Sequence, residues 1–71
     1  MRAQRLFEQG VLSRSSFAIW GEPGQGDSTC LLCEDPIPRG TMCIEEVAKA
    51  GTRYFFHPRC HLLVMAQRHG A

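Results

Sequence analysis

Cys30-Leu31-Leu32-Cys33 and, further on, His57-Pro58-Arg59-Cys60 decide how this chain is read. Each pair sets two soft or borderline donor atoms on one side of a tight turn. Four such donors can close a tetrahedron around a zinc ion, which prefers thiolate sulfur and imidazole nitrogen. In the first pair the turn brings both sulfurs to about 2.3 Å from a shared metal, with neighbouring backbone N–H groups pointing at them. In the second pair the end of a strand and the first turn of a helix present the remaining donors. Pro58 suits the first helical position, because its missing N–H would have had no intrahelical partner there. His57 is then the N-cap and Cys60 lies in the first turn, where the positive end of the helix favours a thiolate.

The residues between the pairs fit that frame. Pro36-Ile37-Pro38-Arg39-Gly40 has proline and glycine placed as a tight turn favours. Residues 41–47 and 52–56 are rich in β-branched and aromatic side chains and flank Lys49-Ala50-Gly51, the pattern of a hairpin. A helix is expected over 58–68. Upstream, Ala3, Leu6, Phe7, Gly10 and Val11 fall at the spacing of one apolar helical stripe, which predicts an amphipathic helix over 2–12. Gly10 either weakens it or marks its end. Residues 13–16 break the pattern, and Phe17-Ala18-Ile19-Trp20 is a short apolar piece, a strand or an extended segment lying on the core. Gly21-Glu22-Pro23-Gly24-Gln25-Gly26-Asp27-Ser28 reads as a loop, with Trp20 before it as an anchor for the N-terminal arm.

The expected organisation is therefore an N-terminal helix and arm over 1–20, a glycine- and proline-rich loop over 21–28, and a zinc module over 29–71. The fold class is a small α+β zinc-stabilised domain of treble-clef order: zinc knuckle, β-hairpin, C-terminal helix, with an added N-terminal amphipathic helix.

Size and composition point the same way. A chain of 71 residues is one small domain, and such domains often need a disulfide, a metal or a partner as a staple. Four cysteines allow disulfides or a metal. The first nine residues alternate polar with apolar and show no secretory signal, and no run approaches transmembrane length. A soluble protein of a reducing compartment, the cytoplasm, is expected, where thiols meet metals rather than one another. The formal net charge of +1 becomes about 0 once one zinc (+2) binds three thiolates (−3), without the basic excess usual in a nucleic-acid-binding domain.

One structural zinc held by Cys30, Cys33, His57 and Cys60 is the reading that the spacing favours. A thioredoxin-type redox pair lacks its surrounding βαβ pattern, and a catalytic zinc would keep a coordination position for water. Cys43, in the first strand of the hairpin, is expected to be a small buried hydrophobe. One helical step turns His61 about 100° from Cys60, to the surface or the second shell. His69 is expected in solvent, and Phe55, Phe56, Leu63 and Val64 in the core. Tyr54 and Trp20 suit either packing or contact. Glu34-Asp35 reads as turn chemistry rather than a catalytic pair. Gly21-x-x-Gly24-x-Gly26 lacks the context of a phosphate loop.

Cys30-x-x-Cys33, Ile37-Pro38-Arg39-Gly40 and Phe55-Phe56-His57-Pro58-Arg59-Cys60 together resemble the zinc finger of poly(ADP-ribose) polymerases and, more loosely, LIM-type treble clefs. The resemblance covers about the last 40 residues and implies zinc ligation by Cys30, Cys33, His57 and Cys60. The spacer between Cys33 and His57 is shorter than in the polymerase fingers, so a trimmed hairpin is implied. Taken whole, the chain looks closer to small stand-alone bacterial zinc-finger proteins, a group that supplies an architecture and no activity.

Two functions follow as expectations. The first is a non-enzymatic module that meets a protein partner, or a second copy, through its N-terminal arm. The alternative is a nucleic-acid-binding finger with a basic face of Arg39, Lys49, Arg53, Arg59 and Arg68 and an aromatic neighbour for stacking, although Glu45 and Glu46 interrupt that hairpin. No catalytic constellation, membrane association or small-molecule substrate is expected.

Overall fold

The computed structural model describes residues 2–12, 18–48 and 51–70. In chain order its elements are α1 (Arg2–Glu8), β1 (Ala18–Pro23), β2 (Ser28–Thr29), β3 (Pro36–Ile37), β4 (Met42–Val47), β5 (Arg53–Phe56) and α2 (Pro58–Gly70). β1, β4 and β5 form one antiparallel sheet with β4 in the middle, and β2 pairs with β3 as a separate short ladder. α2 packs on β4 and β5, and α1 packs on α2.

α1 is shorter than its apolar stripe suggests because Gly10 ends it. Gly10 sits at φ 78°, the left-handed geometry that costs glycine least. The Val11 N–H reaches the Leu6 carbonyl at 3.0 Å and the Gly10 N–H reaches that of Phe7 at 3.1 Å. These two bonds are a Schellman motif and satisfy carbonyls that the helix end would leave open. Ala3, Leu6 and, beyond the helix, Leu12 are buried in the core with Leu32, Ile37, Phe56 and Val64.

The segment read as a loop over 21–28 is partly strand. β1 continues through Gly21-Glu22-Pro23, each residue opposite one of β4 from Ala18↔Val47 to Pro23↔Met42, and β2 begins at Ser28. Local turn propensity yields here to six consecutive cross-strand pairings, and a proline is tolerated at the end of an edge strand. Trp20 is not sunk into the core as an anchor; it is 40% exposed, beside Ile19 at 43%. Of the apolar piece Phe17-Ala18-Ile19-Trp20, Phe17 lies outside the described residues, as do residues 13–16 and Lys49.

Past β1 the chain crosses closely over the turn that leads into β4. The Gly24 N–H donates to the Thr41 carbonyl at 2.8 Å, and the Gly40 N–H donates to that of Gly24 at 3.0 Å. A Cβ at position 24 would lie 2.9 Å from the Pro38 carbonyl oxygen and 3.1 Å from Ile37 Cγ2. No side chain fits there without moving backbone.

Successive side chains of a strand point to opposite faces, so the adjacent Glu45 and Glu46 of the central strand leave it in opposite directions. Both are buried. Glu46 shares the α2 face of the sheet with Ile44, Tyr54 and Phe56, whereas Glu45 shares the other face with Cys43, Trp20 and Phe55. Among the described residues no helix is long and apolar enough to cross a membrane.

Candidate metal centre

Cys30 directly follows β2 and forms an isolated bridge to Phe55 of β5, fixed by the Leu31 N–H donating to the Phe55 carbonyl at 2.9 Å. The Glu34 N–H returns to the Cys30 carbonyl at 2.9 Å, which closes the knuckle turn and holds Cys33 beside Cys30. Two residues after Phe55 the chain leaves β5 at His57 and enters α2 at Pro58. The His57 carbonyl accepts the His61 N–H at 2.9 Å, so His57 sits at the N-cap as expected and Cys60 falls in the first turn. One sheet edge thus carries the knuckle and the helix start to the same place.

The three sulfurs and one imidazole nitrogen all lie within 4.8 Å of one another. His57 Nδ1 is 3.3 Å from Cys33 Sγ and 3.9 Å from Cys60 Sγ. A tetrahedron with metal–sulfur bonds of about 2.3 Å and a metal–nitrogen bond of about 2.0 Å has sulfur–nitrogen edges of about 3.5 Å. The two distances bracket that value. The other ring nitrogen, Nε2, is 3.2 Å from the Pro36 carbonyl oxygen. A carbonyl can only accept, so Nε2 carries the proton and the Nδ1 lone pair faces the sulfurs, the outer-shell arrangement usual for a metal-ligating histidine.

The thiols are poised for a cation. Burial pushes Cys30 up, but N–H groups of Cys33, His57 and Leu32 and the Cys33 thiol hold it at about 7, below the ordinary 9.0. Burial and the neighbouring Cys30 and Cys33 push Cys60 up to about 12. Three sulfurs this close cannot share full negative charge unaided, and a divalent ion between them removes the conflict. The cluster can hold one metal ion, and its donors and spacings fit zinc. Once bound, such an ion ties the knuckle, the end of β5 and the start of α2 together.

Cys43 does not join the cluster. It is 1% exposed, a buried small side chain, and its thiol is raised by burial and by Glu22 and Glu45. His69 is exposed as expected, but Leu63 is 46% exposed rather than core.

Two expectations fail on the inner face of α2. His61 is neither a surface residue nor a partner of the sulfurs; it is 8% exposed, with Nε2 2.6 Å from Glu46 Oε2. Arg68, placed on a basic outer face, is inside. Its Nη1 donates to Glu46 Oε2 and its Nη2 to Glu46 Oε1, each at 3.0 Å, the bidentate fork that suits guanidinium and carboxylate. Its guanidinium also stands 5.5 Å from the centre of the Phe7 ring. One carboxylate of β4 therefore grips α2 at both ends and, through Arg68, touches α1. The signal for this was present: His61, Val64 and Arg68 recur at i, i+3 and i+7, one face of a helix.

The rest of the basic set is divided. Arg39 and Arg59 are exposed, while Arg53 directs Nε to 3.6 Å from Glu45 Oε2. Comparisons with protein-family models, curated proteins and solved structures find no match to this chain.

Proposed function

We propose that this chain is a zinc-stapled module of treble-clef type that acts by binding another protein rather than by catalysis. The ligand geometry supports zinc, and the succession of knuckle, hairpin and helix supports the treble clef. The site has four donors for one ion, and a filled shell holds structure together instead of activating water. A chain this small gains most of its folding from such an ion, whose binding energy is folding energy.

The observation that carries the binding role is the outer strand. β1 has a partner only on its β4 side among the described residues, and it bears Ile19 and Trp20 exposed at 43% and 40%. Met42, 52% exposed, rests its sulfur 3.3 Å from where a Gly21 side chain would begin. An edge with free backbone groups and large apolar side chains is a surface that another chain can extend or cover. The nucleic-acid alternative has lost its support at Arg68, which is committed to Glu46, while Arg53, 65% exposed, is only 3.6 Å from Glu45.

The test is sedimentation and in-cell cross-linking of the natural chain against an Ile19→Ser/Trp20→Ser variant, with nucleic-acid binding measured in parallel across a salt series. Loss of self-association or of a cross-linked partner in the variant is the expected result. Unchanged association, or salt-sensitive nucleic-acid binding with no protein partner, overturns the proposal.

A further inference from the structure

The four metal donors are not equally sheltered. Cys30 is 1% exposed. Cys60 and His57 are half-buried, whereas Cys33 is exposed. Cys33 also lines an open groove of about 780 Å³ that runs between the Pro36–Thr41 turn and the start of α2. Asp35 and Arg59 both line it, so the groove offers one charge of each sign and admits a small neutral molecule. A structural zinc site whose outermost sulfur opens to solvent, with further thiolates within 4.8 Å, has the parts of an oxidation-sensitive centre.

We propose that Cys33 is a modification site for hydroperoxides, and that its oxidation dismantles the metal centre. The Cys33 thiolate attacks the distal peroxide oxygen, forming a sulfur–oxygen bond and breaking the oxygen–oxygen bond. It becomes a sulfenic acid, and the other oxygen leaves as hydroxide or alkoxide. The thiolate of Cys30 or Cys60 then attacks the Cys33 sulfur and expels hydroxide, leaving a disulfide. Each sulfur has lost one electron and the peroxide has gained two. Two of the four donors are withdrawn, and the remaining imidazole and single thiolate cannot retain the ion at structural affinity. The strand edge and helix start that the ion joined are released with it. A dithiol reductant with added zinc reverses both steps. Exposure and access, which govern which thiolate is oxidised, select Cys33 over Cys30, and burial outside the cluster spares Cys43.

The inference rests on the zinc reading, so native mass spectrometry of the untreated chain comes first. If no zinc is present, that reading fails; if zinc is present and peroxide leaves it in place, the oxidation proposal fails alone. The zinc-loaded chain is treated with one equivalent of hydrogen peroxide while a chromogenic chelator reports free zinc and peptide mapping locates oxidised sulfur. The expected result is release of one zinc per chain, a fall from four free thiols to two after denaturation, and a disulfide that includes Cys33. Cys33→Asp keeps a fourth donor without a thiol and is expected to slow release at least about tenfold. If that variant fails to bind zinc, the mapping decides. First oxidation at Cys43, or at a methionine with zinc retained, overturns the proposal.

Discussion

Replacing Arg68 with methionine removes the fork that holds the Glu46 carboxylate while keeping the aliphatic bulk of the side chain. The side chains of Arg68 and Glu46 are 3% and 2% exposed, so water does not screen the pair, and the carboxylate left behind keeps the His61 contact at 2.6 Å but loses both guanidinium bonds. Removing one partner of a buried ion pair costs about 3–5 kcal/mol. A 71-residue domain holds about 4–11 kcal/mol in total at the usual stability per residue, so the substitution takes a large share of it. The assay is urea unfolding at pH 7 with zinc held constant. A double-mutant cycle with Glu46→Gln separates the pair from the contact of Arg68 with Phe7. The coupling energy expected for such contacting residues is about 1–3 kcal/mol, with the double variant more stable than the sum of the single losses implies. A loss below about 0.5 kcal/mol for Arg68→Met, the range of ordinary surface substitutions, refutes the reasoning.

Three further outcomes are expected. Burial, followed by the hydrogen bond and charge of Glu22, raises the Glu45 carboxyl above its ordinary 4.5, against the lowering effect of Arg53. An acid raised on folding binds more protons in the native state, so stability falls as pH climbs above the unfolded value. Glu45→Gln is therefore expected to stabilise the chain at pH 7–8 and to lose that advantage below about pH 4.5, as denaturation at a series of pH values will show. Gly24→Ala forces backbone apart where a Cβ would stand 2.9 Å from the Pro38 carbonyl. About 1–3 kcal/mol of strain lowers the melting temperature by roughly 5–20 °C in a domain of this size. Cys43→Ala leaves one metal per chain, whereas Cys60→Ala does not; metal analysis after gel filtration distinguishes them.

Each donor pair was legible because covalent spacing fixes it: two residues between donors force both to one side of a turn, and the fold brings the two pairs within 4.8 Å of one another. The start of α2 was legible for a similar reason, since Pro58 both favours the first helical turn and sets its register. β1 was not, because Gly21, Glu22, Pro23 and Gly24 are locally turn residues and only pairing with β4, some 20 positions away, makes three of them strand. The inward turn of Arg68 and outward turn of Leu62 and Leu63 reverse ordinary preferences. That reversal depends on Glu46, 22 positions from Arg68, being brought beneath α2 by the sheet. Tertiary pairing of charges leaves no local trace beyond the spacing of His61, Val64 and Arg68.

Native mass spectrometry of protein purified without added metal, recorded before and after chelation and paired with circular dichroism, tests the zinc-stapled fold most directly. One zinc per chain is expected, with loss of cooperative folding when the ion is removed. A chain at its metal-free mass that unfolds cooperatively, or that keeps its fold unchanged after chelation, contradicts it.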